Sequence, residues 1–426
     1  MKRNLKFRIY PTGKQEKILL SSFEMCRMTY NGLLKERIER YKNKEKLNKY
    51  SQNDLLVSTK KKFPDLKQVH SQVLQNISER IDLAFQSFFK RVKTKTGKAG
   101  FPRFKSYGRY DSITYPQSGY SLVTEGDKTK LKISKIGYVK IKLHREIHGN
   151  IKRLTIQKSC SGKWFAIFSV SSEKNSKEEK IKEEKRISNL EKQKVFDKEN
   201  DVNKNKLIVG IDLGLETFAT LSNGETIERV RTTKKHQNGL VKAQRRISKR
   251  KECQNDYKNS KRHKTDRKIL NYKHEKIKNI RNDLSHKNSR ILVNSYDVIC
   301  LEDLKIKSMQ RKMKDETNKQ KQGRNRSIAD VAWNAFVNQL QYKAEEAGTE
   351  VILVNPKNTS KTCSSCGYLV NKALSDRIHN CPMCGLLMNR DLNASINILR
   401  LGLESLGLNR KNSKFFDSIP IEAPNL

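Results

Sequence analysis

The chain has 426 residues, with 90 Lys and Arg against 45 Asp and Glu, a formal net charge of +45. A surplus on that scale calls for a polyanionic partner, and nucleic acid supplies the densest phosphate charge. The same arithmetic excludes several classes: no apolar run approaches the roughly 18 residues of a spanning helix, and eight cysteines are too few for a disulfide scaffold.

The opening residues Leu5–Tyr10 alternate apolar and basic, a strand pattern that Pro11-Thr12-Gly13 ends. They carry no apolar core of a signal peptide, so a cytoplasmic setting is expected. From Lys14 to Arg91 the pattern is helical. It is clearest over 69–91, where Val73, Ile77, Ile81, Phe85 and Phe88 recur at helical spacing. A basic, glycine-containing loop follows at Thr94–Gly100. Residues 111–172 then read as short strands, among them Gly137–Leu143, Ile151–Gln157 and Trp164–Val170, with turn chemistry at Cys160-Ser161-Gly162. Such spacing suggests a small barrel or sandwich. The stretch 173–206 is almost entirely Lys, Glu and other polar residues, the composition of a charged linker and a domain boundary.

Beyond it, Leu207–Gly214 is an apolar strand carrying one acid, Asp212. Phe218–Ser222 and Glu225–Val230 follow as second and third strands around an Asn223-Gly224 turn. Residues 231–290 hold 21 Lys and Arg against 5 Asp and Glu. Val298–Glu302 is another buried strand ending in an acid, 331–347 an amphipathic helix stopped by Gly348, and Glu350–Val354 a further strand.

Two motif sets carry chemistry. Cys363-Ser364-Ser365-Cys366-Gly367 and Cys381-Pro382-Met383-Cys384-Gly385 are paired CxxC knuckles. Two residues between thiolates let both reach one ion, and the glycine permits the tight turn, so Cys363, Cys366, Cys381 and Cys384 are expected to hold one structural Zn²⁺. His379 lies close by and reads as a surface or packing histidine. The second set is acidic. Asp212 and Glu302 end apolar strands, and Asp391, in Asn389–Ile398, falls in the first turn of a helix. Each alone also fits a plain strand-end or helix-capping acid. Together they match the carboxylate set that holds two Mg²⁺ ions for phosphodiester hydrolysis. Asp303, by strand alternation, points to the opposite face.

As a set, Gly210-Ile211-Asp212-Leu213-Gly214, Leu301-Glu302-Asp303-Leu304, Thr359–Gly367 and Arg390-Asp391-Leu392-Asn393-Ala394 closely resemble the TnpB (OrfB) family of transposon-encoded proteins, which is related to the type V CRISPR effectors. Tyr30-Asn31, the GFPRFK run Gly100–Lys105 and the β region extend the likeness over most of the chain. The resemblance implies an α+β multidomain architecture. Its parts are a wedge-like β-barrel (1–14 and 93–172), an inserted helical recognition domain (15–92), the linker 173–206, and an RNase H-like (RuvC) nuclease domain with a mixed sheet (207–402). A zinc finger (357–388) interrupts the last of these, and a tail (403–426) carries no assignable motif.

The family likeness also implies an activity: RNA-guided cleavage of double-stranded DNA. A guide RNA from the transposon end selects the target, a short flanking motif is read by the protein, Asp212, Glu302 and Asp391 hold two Mg²⁺ ions, and no membrane is involved. A strand-transferring transposase and a nuclease-inactive RNA-guided regulator are the alternatives. Two departures are visible: the family's usual acid two residues before the last catalytic Asp is here Asn389, and the charged stretch 173–206 is longer than the family's usual connection. The aromatics Phe101, Phe104, Tyr107, Tyr110 and Tyr115 interleave with basic residues in the manner of a base-stacking surface, though each singly also fits core packing.

Overall fold

In a computed structural model the described residues are 2–45, 47–94, 100–126, 128–171, 207–253, 260–311, 316–373 and 376–407. The linker reading of 173–206, most of the basic loop at Thr94–Gly100 and the tail past 407 lie outside them. The chain divides into two compact units, Met1–Lys174 and Asn175–Leu426.

In the first unit a single sheet runs in the order β2-β6-β7-β1-β5-β4-β3. Its strands are β1 (Lys2–Tyr10), β2 (Ser112–Tyr115), β3 (Tyr120–Glu125), β4 (Lys128–Ile133), β5 (Gly137–Lys142), β6 (Asn150–Lys158) and β7 (Trp164–Ser171). Every pairing is antiparallel. Among the described residues β2 and β3 remain the two ends of the sheet, with no ladder joining them into a closed barrel.

Three helices are inserted between β1 and β2: α1 (Gly13–Lys42), α2 (Lys49–Lys62) and α3 (Ser71–Thr94), with a short 3₁₀ turn at Pro64–Gln68. Helix α1 starts where Thr12 and Gln15 form a reciprocal capping box, which satisfies two of the orphan donors at its first turn. The apolar stripe expected on 69–91 is the buried face of α3, where Val73, Ile77, Ile81, Phe85 and Phe88 join Phe7, Phe168 and Leu131 of the sheet in one core. Arg37 of α1, buried against that core, donates to Asp82 of α3 at 2.6 Å and to Gln52 of α2 at 3.1 Å. A charge held away from water needs such partners, and these tie the three helices together.

The second unit is built on a mixed five-stranded sheet, β10-β9-β8-β11-β12. Strands β8 (Ile208–Asp212), β11 (Val298–Glu302) and β12 (Glu350–Val354) are parallel, while β9 (Ala219–Leu221) and β10 (Thr226–Ile227) run antiparallel at one edge. All five residues of β11 are buried, as expected for a central parallel strand covered on both faces. The third strand, read over Glu225–Val230, shrinks to two residues because only Thr226 and Ile227 find partners on β9.

Between β10 and β11 lie α4 (Thr232–Cys253) and the 35-residue α5 (Lys261–Ser295), which pack on each other. After β11 come the one-turn α6 (Ile306–Met309), then α7 (Asn318–Val331) and α8 (Trp333–Ala347). The single helix expected over 331–347 begins instead at Trp333. Ala332 sits in the left-handed region with φ 57°, and this breaks the chain into two helices. Buried Asp330, just before the break, takes Arg281 of α5, Thr233 of α4 and Arg229, so one carboxylate ties these elements together. The unit closes with the hairpin β13 (Ile378–Asn380) and β14 (Leu387–Asn389) and with α9 (Arg390–Ser405). None of the described helices is long and apolar enough to cross a membrane.

Candidate active site and metal centre

Asp212 and Glu302 are the last residues of neighbouring parallel strands. The register pairs Ile211 with Leu301, so the next residue on each strand delivers a carboxylate to the same end of the sheet. In parallel sheets this carboxyl end is where ligands are bound.

Helix α9 supplies the third acid. It lies across β8 and β11 at a distance that only glycine allows. A Cβ on Gly210 would stand 2.2 Å from the Ser395 carbonyl oxygen and 2.6 Å from the Leu399 nitrogen, and one on Gly402 would meet Cys300 Sγ at 2.1 Å. Because the helix sits this low on the strands, its first turn, with Asp391, reaches the strand ends. Asn389 has a definite role here: it is the N-cap, and its Oδ1 accepts from the N–H groups of Asp391 at 2.8 Å and Leu392 at 3.3 Å. The residue that departs from the family pattern therefore anchors the turn bearing Asp391.

The three acids come together electrostatically. The Asp212 carboxyl is pushed up to about 8, first by burial, then by the nearby charges of Glu302 and Asp391, with Arg390 and the Leu213 N–H pulling the other way. Burial also raises Glu302, which is 9% exposed, and the Thr359 hydroxyl partly offsets this by donating to its Oε1 at 2.5 Å. Burial and mutual repulsion of carboxylates both favour the protonated acid, and a cation placed among them would relieve that repulsion. Asp303 is exposed and turned away, as strand alternation requires.

The four cysteines form a second, separate cluster. Their Sγ atoms all lie within 4.8 Å of one another, with Cys363–Cys384 at 3.6 Å and Cys366–Cys381 at 3.5 Å. A tetrahedral zinc with bonds of about 2.3 Å sets sulfurs roughly 3.8 Å apart, so the quartet fits that ion. Burial opposes ionisation of Cys381, yet the backbone N–H groups of Cys384 and Met383 and the neighbouring thiols outweigh it and hold the thiol down at about 6. Glycines 367 and 385, both at positive φ, close the two knuckles. His379 is fully buried against Lys372, a packing residue outside the quartet. Among the described residues no other group of three or more His, Cys, Asp or Glu is gathered closely enough to hold an ion, the three carboxylates included.

Several residues that pattern reading passed over join the two clusters. Asn393 and Asn397 lie on the otherwise apolar face of α9. Asn393 accepts from Ser364 N–H at 2.9 Å and donates to Thr362 O at 2.8 Å, and Asn397 donates to the carbonyls of Thr359 and Thr362. Arg390 donates to Ala373 O, Asp376 O and Ser360 Oγ while placing its charge near Asp212. The signal for the asparagines was available: two amides four residues apart on a buried helix face need partners. Thr359 and Arg390 gave no such signal, because their partners are remote in sequence.

The fold and the two clusters define a class: an α+β chain resembling the type V effectors, with a mixed sheet, an acidic strand-end site and a Cys₄ knuckle. A solved Cas12f1–sgRNA–target DNA complex aligns over 93% of this chain and 98% of its own protein chain, with a TM-score of 0.51 at 16% identity, a likeness of fold. The family model described as "Probable transposase" (OrfB of IS605) matches 191–313. The Cas12f1-like TNB domain matches 333–398, and an OrfB helix-turn-helix model matches 1–46. Over those first residues the structure has a strand and one continuous helix. A protein of Escherichia coli K12, "Putative RNA-guided DNA endonuclease InsQ", is 30% identical over 93% of this chain and 91% of its own length. A Streptomyces pristinaespiralis "Putative RNA-guided DNA endonuclease" is 27% identical over 95% and 90%. The chain belongs to the TnpB (OrfB) family.

Proposed function

We propose that this chain is a guide-RNA-dependent endonuclease for double-stranded DNA. In this reading Asp212, Glu302 and Asp391 form a RuvC-type site in an RNase H-like domain. The observation that carries it is the meeting of three acids from β8, β11 and the first turn of α9, with Asp212 pushed up to about 8 first by burial and then by the charges of Glu302 and Asp391. These carboxylates would hold Mg²⁺, which when bound would activate the attacking water and stabilise the leaving 3′ oxygen.

The chain's own residues do the rest. Asp212 must give up its proton before it ligates a cation, so occupancy of the site rises with pH toward about 8. Thr359 fixes one oxygen of Glu302, leaving the other to face the ions. The zinc quartet would brace 359–364, whose backbone Asn393 and Asn397 bind, and so would hold α9 and Asp391 in place. The 21 basic residues of 231–290 would neutralise phosphates, giving steep salt dependence.

The test is to co-express the chain with its transposon-end RNA, sequence the RNA that co-purifies, and offer matching duplex DNA with Mg²⁺. Cutting should occur, and Asp212→Ala should abolish it while RNA stays bound. Undiminished cutting by that variant defeats the site assignment. Strand-transfer products in place of simple breaks would favour the transposase reading.

A further inference from the structure

The aromatic residues of 100–115 separate into two groups. Tyr110 and Tyr115 are buried in the first unit's core, and Phe101 stacks on Phe88 with ring centroids 4.9 Å apart. Phe104 and Tyr107 face water, at 55% and 84% exposure. One exposed aromatic means little by itself, but Tyr107 is held in an unusual way. Lys105, two residues before it, is pinned to α1 by its backbone. Asn31 accepts from Lys105 N–H at 2.8 Å and donates to Lys105 O at 2.9 Å, and Arg27 donates to the same oxygen at 3.0 Å. A turn closes immediately afterwards, from Ser106 O to Arg109 N–H at 3.0 Å, with Gly108 at φ 68°. Tyr107 stands at the tip of that turn. Among the described residues its hydroxyl makes no hydrogen bond and its ring meets no other ring.

The surroundings are cationic. Arg103, Lys105 and Arg109 are exposed, and no acid occurs between Gly100 and Tyr110. The one carboxylate close to Arg27, Glu24, is occupied by that guanidinium. An exposed ring on a pinned backbone, with exposed cations beside it in the chain, fits a base-stacking platform set in a phosphate-binding surface, and the fixed backbone lowers the ordering cost of binding.

We propose that Tyr107, supported by Phe104, stacks on an unpaired base of the guide RNA. Duplex bases are already stacked on one another, so a ring at a turn tip reaches only an unpaired one. RNA is the occupant because it is the strand bound throughout the cycle, whereas single-stranded DNA exists only once a target has opened. The proposal rests on the RNA-guided reading but does not require cleavage.

The experiment uses the full chain stripped of co-purified nucleic acid and a fluorescein-labelled adenylate RNA 12-mer, read by anisotropy at several salt concentrations. Tyr107→Ala should weaken binding about 5- to 100-fold with no change in the salt slope, because stacking releases no counterions. Tyr107→Phe should bind like the native chain, since the ring and not the hydroxyl stacks. Native-like binding by the alanine variant overturns the proposal, as does a phenylalanine variant as weak as alanine, or a loss seen only with a deoxyadenylate DNA 12-mer measured in parallel. A chain that cuts no DNA but shows the expected RNA losses refutes the nuclease reading alone. A chain that cuts normally and shows no loss refutes this one alone.

Discussion

Replacing Asp212 with Asn should stabilise the magnesium-free protein, and more so as pH rises. The native carboxyl has its proton-release point at about 8 in the fold, against about 3.9 in an unfolded chain. The folded state therefore binds the proton more tightly. Between about pH 4 and 8 it carries more protons than the unfolded state, so stability falls as pH climbs through that window and levels off above it. At 1.36 kcal/mol per unit the loss by pH 7 is about 4 kcal/mol, and residual water access to the carboxyl trims this to about 2–4 kcal/mol. Asparagine keeps the shape and removes the charge. At roughly 2–4 °C per kcal/mol for a unit of this size, the variant should melt about 5–10 °C higher at pH 7.5 and nearly level with the native chain at pH 4.5. The assay is a set of thermal melts across pH in buffers stripped of Mg²⁺ but with zinc retained. Adding Mg²⁺ should then raise the native midpoint and leave the variant unmoved. A difference in midpoint that stays constant from pH 4.5 to 8 would refute the argument that burial, with crowding by Glu302 and Asp391, raises this group.

Thr359→Ala removes the hydroxyl that offsets burial of Glu302, so the Glu302 carboxyl should titrate about one to two pH units higher in the variant, since a hydrogen bond to a charged group is worth roughly 1.5–3 kcal/mol. Carbon-13 NMR of labelled Glu302 reads this directly, and an unmoved titration would mean that Thr359 does not hold the charged form. Gly210→Ala drives a methyl into the α9 backbone, which has no flexible side chain to yield; urea unfolding should show a loss of about 3 kcal/mol or more, and a native-like midpoint would mean that α9 does not lie on β8. Elemental analysis should find one zinc per chain, lost in Cys381→Ser along with resistance of 357–390 to proteolysis.

The knuckle and the acids were legible because their chemistry is written in short, spaced motifs. A thiolate pair must be two residues apart, and an acid ending an apolar run is conspicuous. The β8 and β11 strands were equally plain, being apolar runs largely buried on both faces, and β12 is an apolar run at the sheet edge with Leu353 exposed. What escaped depends on contacts distant in sequence. The break at Ala332 follows no proline or glycine and is stabilised by Asp330 gathering Arg229, Arg281 and Thr233 from other elements. Asn389 read as a missing charge, whereas its work is capping, a role visible only once α9 is seen to begin at Arg390. The five aromatics of 101–115 share one pattern in sequence, and only burial divides them into core and surface.

The central claim is that Asp212, Glu302 and Asp391 surround a common cation site. Loading the zinc-replete protein with Fe²⁺ in place of Mg²⁺, then adding ascorbate and peroxide, generates hydroxyl radicals that cut the backbone beside the bound ion. Mass spectrometry should find cuts grouped near residues 212, 302 and 391, all three suppressed by excess Mg²⁺ and all three lost in Asp212→Asn. Cuts near only one of the three, or a pattern indifferent to Mg²⁺ and to the substitution, would contradict it.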